Sequence, residues 1–326
     1  MNQFIRTLWI CLLGWGCLNN PSLAQPRADK PIKLMVPFTP GGGTDIIARM
    51  MAPKLTEKLG VSVVVENMPG AAGAIAAQYT ARAEPDGSTL MVGSTSEIGI
   101  NPSLYPKLPY NVARDFVPVT PLASTPMVLV VHPSSPIKSA KDLVNMALAN
   151  PGKVNFASAG IGSGAHLAAE LFLYETQTKM AHIPYKGVGA AISDIIGSQR
   201  DLVLFTTLPS ATPLARSGKL RVVAISTKER VSVMPEVPTF IESGVSGYVM
   251  EYWYGLMAPA AVSPDFRKRM HAVASDLLKQ PDVVANLLKQ GLQPTYRTPE
   301  EFAVFIKNDM DRWAAVVKSA NITLDP

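Results

Sequence analysis

Only two cysteines occur in this 326-residue chain, Cys11 and Cys17, and both fall within the first two dozen residues. If that stretch is a leader that is cut away, no thiol remains, which excludes structural disulfides, thiol catalysis and cysteine metal sites together. Beyond Leu18 no uninterrupted apolar run is long enough to span a bilayer. Basic residues outnumber acidic ones, 30 to 25, yet they form no run of five or six, so the clustered face that nucleic acid requires is missing. The four histidines carry no metal-ligand spacing: His166 and Glu170 lie four apart, but no second histidine shares that helix and no HExxH pattern exists. The sequence therefore implies no cofactor and no metal.

The first two dozen residues read as an export leader. Arg6 supplies a positive start, Leu8 to Leu18 an apolar core too short to span a membrane, and Ser22-Leu23-Ala24 the small residues of a cleavage site before Gln25. Trp15 stands where a lipoprotein signal wants a small residue, which argues against lipidation of Cys17. Loss of Arg6 takes the net charge from +5 to +4, a balance that suits anionic solutes.

What the chain has in abundance is glycine at the ends of apolar strands. Ile32–Val36 runs into Pro37-Phe-Thr-Pro-Gly-Gly-Gly43 and a helix opening at Thr44 and Asp45; Val61–Glu66 runs into Asn67-Met-Pro-Gly-Ala-Ala-Gly73 and a helix from Ala74 to Arg82. A glycine turn opening a helix presents unpaired N–H groups and the positive end of the helix dipole. Two such ends at the tips of one sheet make a small anion site from main chain alone.

The same alternation continues. A third strand, Ser88–Val92, ends at Gly93-Ser-Thr-Ser96; residues 97–126 are proline-rich and read as irregular; Met127–Val131 is an apolar strand, followed by a helix capped by Ser139. Further strands at 154–157, 181–184, 201–205 and 220–226 alternate with helices, and three helices opening at Pro264, Pro281 and Pro299 close the chain. Thr298 and Glu301 have capping-box spacing. This pattern implies an α/β protein with a mostly parallel sheet in two lobes, crossed near 97–126 and 235–257, with a ligand cleft outside the carboxyl ends of the strands.

Other motifs weigh less. The Gly41–Gly43 turn lacks the Lys-Ser/Thr of a P-loop. In Gly160-Ile-Gly-Ser-Gly164 the centre of a nucleophile-elbow frame is Gly162, so Ser163 reads as a helix cap or a donor to a ligand carboxylate rather than a nucleophile. Tyr252, Trp253 and Tyr254 read either as core strand residues or, where they cross the cleft, as a stacking face.

Taken together, Val36-Pro-Phe-Thr-Pro-Gly-Gly, Val65-Glu-Asn-Met-Pro-Gly-Ala-Ala-Gly73, Pro85-Asp-Gly-Ser-Thr-Leu90, Asn101-Pro-Ser-Leu-Tyr-Pro-Lys-Leu-Pro-Tyr110, His182-Ile-Pro-Tyr-Lys-Gly187, Leu208-Pro-Ser210 and Gly255-Leu-Met-Ala-Pro259 make the chain resemble the Bug family, the periplasmic solute receptors of tripartite tricarboxylate transporters. The resemblance implies a Venus-flytrap binding protein of the type II kind: leader 1–24, one lobe from 25–126 plus 251–326, the other from 127–250. It implies an exported, monomeric periplasmic receptor for a small organic carboxylate, working with integral-membrane permease subunits. A ligand sensor serving a membrane kinase, or a secreted hydrolase, stays open beside it. The first-lobe loops that grip a carboxylate in that family match Phe38, Gly41, Gly43 and Thr44, and Gly70, Ala71, Ala72 and Gly73. Ser94 joins them from the third strand and Tyr252 from the aromatic segment. The second lobe would contribute Ser158, Gly162, Ser163, Thr206 and Thr207. Two departures stand out. Members commonly carry an Asp after the strand that ends at Phe205, where this chain has Thr206-Thr207, so a ligand without an amino group is expected, a dicarboxylate or an aromatic carboxylate. Pro53 falls inside a helix, where a kink is expected.

Overall fold

A computed structural model describes residues 30–198, 202–319 and 322–323. The leader, its cleavage site and both cysteines lie outside the described residues.

The first half of the molecule is built from β1 (Ile32–Val36), α1 (Gly43–Leu59), β2 (Val63–Asn67), α2 (Ala74–Ala81) and β3 (Thr89–Ser94). A π-helical turn (Thr95–Ile100) and the short α3 (Asn101–Leu104) and α4 (Val112–Asp115) lead to β4 (Phe116–Val131). The second half follows as α5 (Ala140–Ala149), β5 (Asn155–Ser158), α6 (Gly164–Thr176), β6 (Ala181–Pro184), α7 (Val188–Ser198), β7 (Leu202–Thr207), α8 (Leu208–Arg216) and β8 (Arg221–Ile225). The chain returns through β9 (Glu251–Pro259), α9 (Pro264–Leu278), α10 (Pro281–Lys289), β10 (Gln293–Pro294) and α11 (Pro299–Ser319). No helix among the described residues is long and apolar enough to cross a membrane.

The ten strands among the described residues belong to one sheet, ordered β2-β1-β3-β9-β4-β7-β5-β6, with β8 and β10 also on β4. The sheet is mixed rather than mostly parallel. β1 pairs in parallel with β2 and β3, and β5 with β6 and β7, whereas every pairing of β4 and β9 is antiparallel. The expectation failed because the order of strands and helices along the chain does not reveal strand direction: β4 and β9 run between the halves antiparallel to β3, β7 and each other.

The stretch expected to be irregular also needs correction. Its last part is β4, sixteen residues long, which pairs with β9 from Phe116 to Pro126 and with β7 and β8 from Met127 to Val131. Pro118 and Pro121 argued against a strand, but each sits where the β4–β9 register shifts, the one kind of interior position that tolerates a missing N–H. One strand thus runs through both halves of the molecule. The apolar core is continuous across them, joining Leu34, Val36 and Ile47 to Leu129, Phe156, Phe172, Phe205 and Tyr248.

Local signals behave as read. Ser139, Ser163 and Ser263 each accept the N–H three residues on, at 3.1, 3.2 and 3.1 Å. Thr298 and Glu301 form the reciprocal box, at 2.8 and 3.1 Å. Pro53, where a kink is expected, does lie inside a helix but does not break it: α1 runs as a single helix from Gly43 to Leu59.

Candidate functional site

The two glycine turns lie side by side because β1 and β2 pair in register, Val36 opposite Asn67. A polar brace joins them. Asn67 Nδ2 donates to Phe38 O at 2.9 Å and to Asp45 Oδ1 at 3.0 Å, while Asp45 Oδ2 accepts from Gly41 N at 3.0 Å and Arg49 holds the same carboxylate. Burial pushes the Asp45 pKa up, but Arg49, Gly41 and Asn67 outweigh it and hold the carboxyl below its usual value. Asp45 therefore occupies the first N–H of the first turn, leaving the N–H groups of the opening helical turn to anything entering the cleft. In the second turn Gly70, Ala71, Ala72 and Gly73 all have positive φ, at 136°, 46°, 48° and 89°. Two alanines in the left-handed region cost of order 1 kcal/mol each or more. Asn101 Nδ2 helps hold them, donating to Ala72 O at 3.1 Å.

Where the carboxyl ends of both halves meet, a cavity of about 40 Å³ remains. The first half lines it with Phe38, Gly42, Gly43, Thr44, Ser96, Tyr252 and Tyr254, and the second with Met127, Ala159, Ser163, Gly164, Ala165, Val188, Thr206 and Thr207. None of these side chains is charged. The Thr206 Oγ1 and Tyr254 OH hydroxyls are buried and have no hydrogen-bond partner among the described residues, although Tyr254 OH lies beside Thr207 Oγ1. Buried orphan hydroxyls facing a small cavity suit a polar guest, because an unmet donor there costs about 1–3 kcal/mol.

Behind the cavity runs a chain of hydroxyls. Ser96 Oγ accepts from Gly164 N at 2.7 Å and lies 2.6 Å from Tyr252 OH. Tyr252 OH is 2.8 Å from Ser94 Oγ, which is 2.7 Å from Glu97 Oε2. The Ser94 N–H donates to the other carboxyl oxygen of Glu97. Glu97 is fully buried; that burial pushes its carboxyl up to about 8, against the hydrogen bonds from Ser94. At neutral pH the residue is a neutral acid.

A larger groove of about 260 Å³ lies at the other ends of the first strands, where Lys30 pairs with Asp86 near Leu59, Phe266 and Arg269. It is remote from both glycine turns.

Residues 47–322 match the model of the tripartite tricarboxylate transporter family receptor. This chain belongs to that family. Among its relatives is BugT of Bordetella pertussis, 37% identical over 305 residues that cover 93% of each chain. Its fold is that of a solved periplasmic transporter protein, with a TM-score of 0.87 at 42% identity over 91% of this chain and 99% of the other. MatC of Rhodopseudomonas palustris, solved with bound malate, superposes with a TM-score of 0.84 at 32% identity over 89% of this chain and 99% of the other. An R. palustris protein solved with adipate gives 0.86 at 31% identity over 90% and 98%. The two-lobed periplasmic binding fold of the Bug proteins is therefore the fold of this chain, and its family is one of solute receptors.

Within this Bug-type fold the residues singled out from the sequence fall into two groups. Phe38, Gly43, Thr44, Ser163, Thr206, Thr207 and Tyr252 line the cavity. Gly41, Gly70, Ala71, Ala72, Gly73, Ser94, Ser158 and Gly162 do not. Gly73 is packed against Pro37 and the Glu97 side chain, and Gly162 donates its N–H to His166 Nδ1 at 3.1 Å. Sequence reasoning missed Ser96 and Glu97, and had Tyr254 only as one of three aromatics that could form a stacking face. Glu97 carried a signal, since Ser94-Thr-Ser-Glu97 has capping-box spacing and forms one here; Ser96 carried none. Tyr254 follows Tyr252 by two along a strand, the spacing that puts both on one face.

Ser158 Oγ lies 2.6 Å from His182 Nε2, which on distance alone resembles a nucleophile and base. The environment argues otherwise. Ser158 is fully buried and also bonded to Gly160, and the His182 ring lies nearly parallel to both Phe156 and His166, with centroids 4.8 and 4.1 Å away. Burial, with His166 beside it, lowers the His182 pKa to about 3, far too low for a base at neutral pH. The described residues contain no group of three potential ligands that could hold a metal ion.

Proposed function

We propose that this chain is a periplasmic receptor that captures a small organic carboxylate between its two lobes and delivers it to membrane permease subunits. The observation that carries this reading is the cavity where the carboxyl ends of both halves meet: small, without a charged side chain, and ringed by hydroxyls and helix-opening N–H groups. A buried carboxylate is tolerated only where several donors meet it, and the turn at Gly42–Thr44 with Ser96, Ser163, Thr206 and Tyr254 supplies them. Relatives solved with malate and adipate support the substrate class.

The lobes are taken as 25–126 with 251–326, and 127–250, joined through β4 and β9, so that opening the cleft flexes those two strands. Residues 1–24 direct export and are then removed, and the mature chain acts as a monomer. Thr206 and Thr207, in place of an acid, leave an ammonium group no charged partner in the cavity, so the ligand is a carboxylate without an amino group.

Calorimetry of the mature protein against malate, adipate, benzoate and aspartate tests this. Saturable binding of a plain carboxylate, with aspartate weaker, is expected. Aspartate as the tightest ligand would overturn the specificity argument, and silence towards every acid would overturn the receptor reading.

A further inference from the structure

Among the described residues, Ser96 is the cavity hydroxyl at the end of a continuous line of protein hydroxyls leading to a buried carboxyl. The line contains three oxygen–oxygen contacts: Glu97 to Ser94, Ser94 to Tyr252, and Tyr252 to Ser96. The three hydroxyls bring three protons, one for each contact. With Glu97 ionised, every one of them must point towards the carboxylate, and Ser96 turns only a lone pair to the cavity. With Glu97 protonated there are four protons for three contacts. Glu97 then donates to Ser94, Ser94 to Tyr252 and Tyr252 to Ser96. Ser96, whose lone pairs are engaged by Tyr252 and by the Gly164 N–H, has its own proton free for a guest.

We propose that Glu97 is a positioning residue for anion capture: its proton sets the direction of the Ser94–Tyr252–Ser96 relay, so that Ser96 donates to a bound carboxylate only while Glu97 is neutral. Carboxylate binding is thereby linked to retention or uptake of one proton. This rests on the carboxylate-receptor reading above.

The surroundings leave that proton to Glu97. Tyr252 and Tyr254 on β9 and Tyr110 are the titratable groups nearest it, and burial raises all three phenols well above their usual range. From α11, Asp309 meets Gly99 on the same π-helical turn and is held by Trp253 Nε1 and Arg312. From α6, His166 is held by the Gly162 N–H and lies 3.4 Å from Glu170. The 71–73 turn and α3 bring Ala72, Gly73 and Asn101, none of them ionisable. Among the described residues Glu97 makes no ion pair.

The test is calorimetry of malate, adipate and benzoate from neutral pH to about pH 9, in buffers of different ionisation enthalpy, with difference infrared spectra of wild type against Glu97→Gln. Wild-type affinity should fall above neutrality by up to about tenfold per pH unit, with proton uptake approaching one per anion. Glu97→Gln keeps a donor towards Ser94, so its affinity should be flat over the same range. Tyr252→Phe breaks the line, so it should lose the pH dependence while retaining the protonated-carboxyl band of Glu97. Absence of that band in the wild type at neutral pH overturns the inference whatever binds. So does wild-type binding without proton uptake, or an equal pH dependence in Glu97→Gln. A band with no binding of any probe instead overturns the receptor reading, and with it the role of the relay.

Discussion

Gly187 is packed directly against Thr39, so closely that a Cβ on it would overlap the Thr39 hydroxyl. Two residues on, a Cβ on Gly189 would come within 2.5 Å of Pro40 O. The first glycine turn and the loop that opens α7 belong to opposite halves of the molecule, and they touch here with no room for a side chain. Gly187→Ala should therefore prop the halves apart. Overpacking of this kind costs about 1–3 kcal/mol, which on a closed, ligand-bound state is about a tenfold loss of affinity or more. The melting temperature of the ligand-free protein should barely move, because the open state has no clash. Unchanged carboxylate affinity in Gly187→Ala would show that this contact plays no part in capture.

Gly43 makes a similar point inside the cavity. A Cβ there would overlap Tyr254 OH and lie 2.7 Å from Thr207 Oγ1. Gly43 opens α1, where alanine is intrinsically favoured over glycine by about 1 kcal/mol, so helix propensity offsets part of the strain. Gly43→Ala should lose at least about tenfold in affinity while its melting temperature stays within a few degrees of the wild type. A large drop in melting temperature would mean that Gly43 is required for folding rather than kept for a guest.

The parts of this site legible in the sequence were local ones. Gly41 to Thr44 and Gly70 to Gly73 announce themselves because a tight turn before a helix needs glycine at particular positions, whatever the rest of the chain does. Ser139, Ser163 and Thr298 read as caps for the same reason. β4 was missed because Pro118 and Pro121 are judged by local propensity, whereas their tolerance depends on the register with β9, more than a hundred residues away. The hydroxyl line from Glu97 was illegible as a unit. Ser94 and Glu97 are neighbours in sequence, but Tyr252 joins them only because β9 pairs with β3. The stack of Phe156, His166 and His182 depends in the same way on β5 lying beside β6.

Pro53 offers a test of stability without function. It sits on the exposed face in the middle of α1, removing one helical hydrogen bond, yet the helix continues to Leu59 and is capped there by Gly60 at φ 72°. Proline in a helix interior costs about 3 kcal/mol relative to alanine, so Pro53→Ala should raise stability by about 1–3 kcal/mol. Carboxylate affinity should be unaltered, because the residue faces solvent far from the cavity. A variant no more stable than the wild type in denaturant melts would mean that α1 has relaxed around the ring at no net cost.

Glu97 and His182 pull stability in opposite directions with pH. Glu97 rises from an ordinary 4.5 to about 8, so between those values the native state holds a proton that the unfolded chain has lost, and stability falls as pH rises. His182 drops from 6.5 to about 3, so between those values the unfolded chain holds the extra proton, and stability climbs as pH rises. Each contributes up to about 1.4 kcal/mol per pH unit. From these two groups stability should climb from pH 3 to about 4.5, level off to about 6.5 where they offset, and decline towards 8. Glu97→Gln should abolish the decline relative to wild type, and His182→Gln should abolish the climb. A decline above pH 6.5 that persists unchanged in Glu97→Gln would place the titrating proton elsewhere, and with it the origin of any pH dependence in binding.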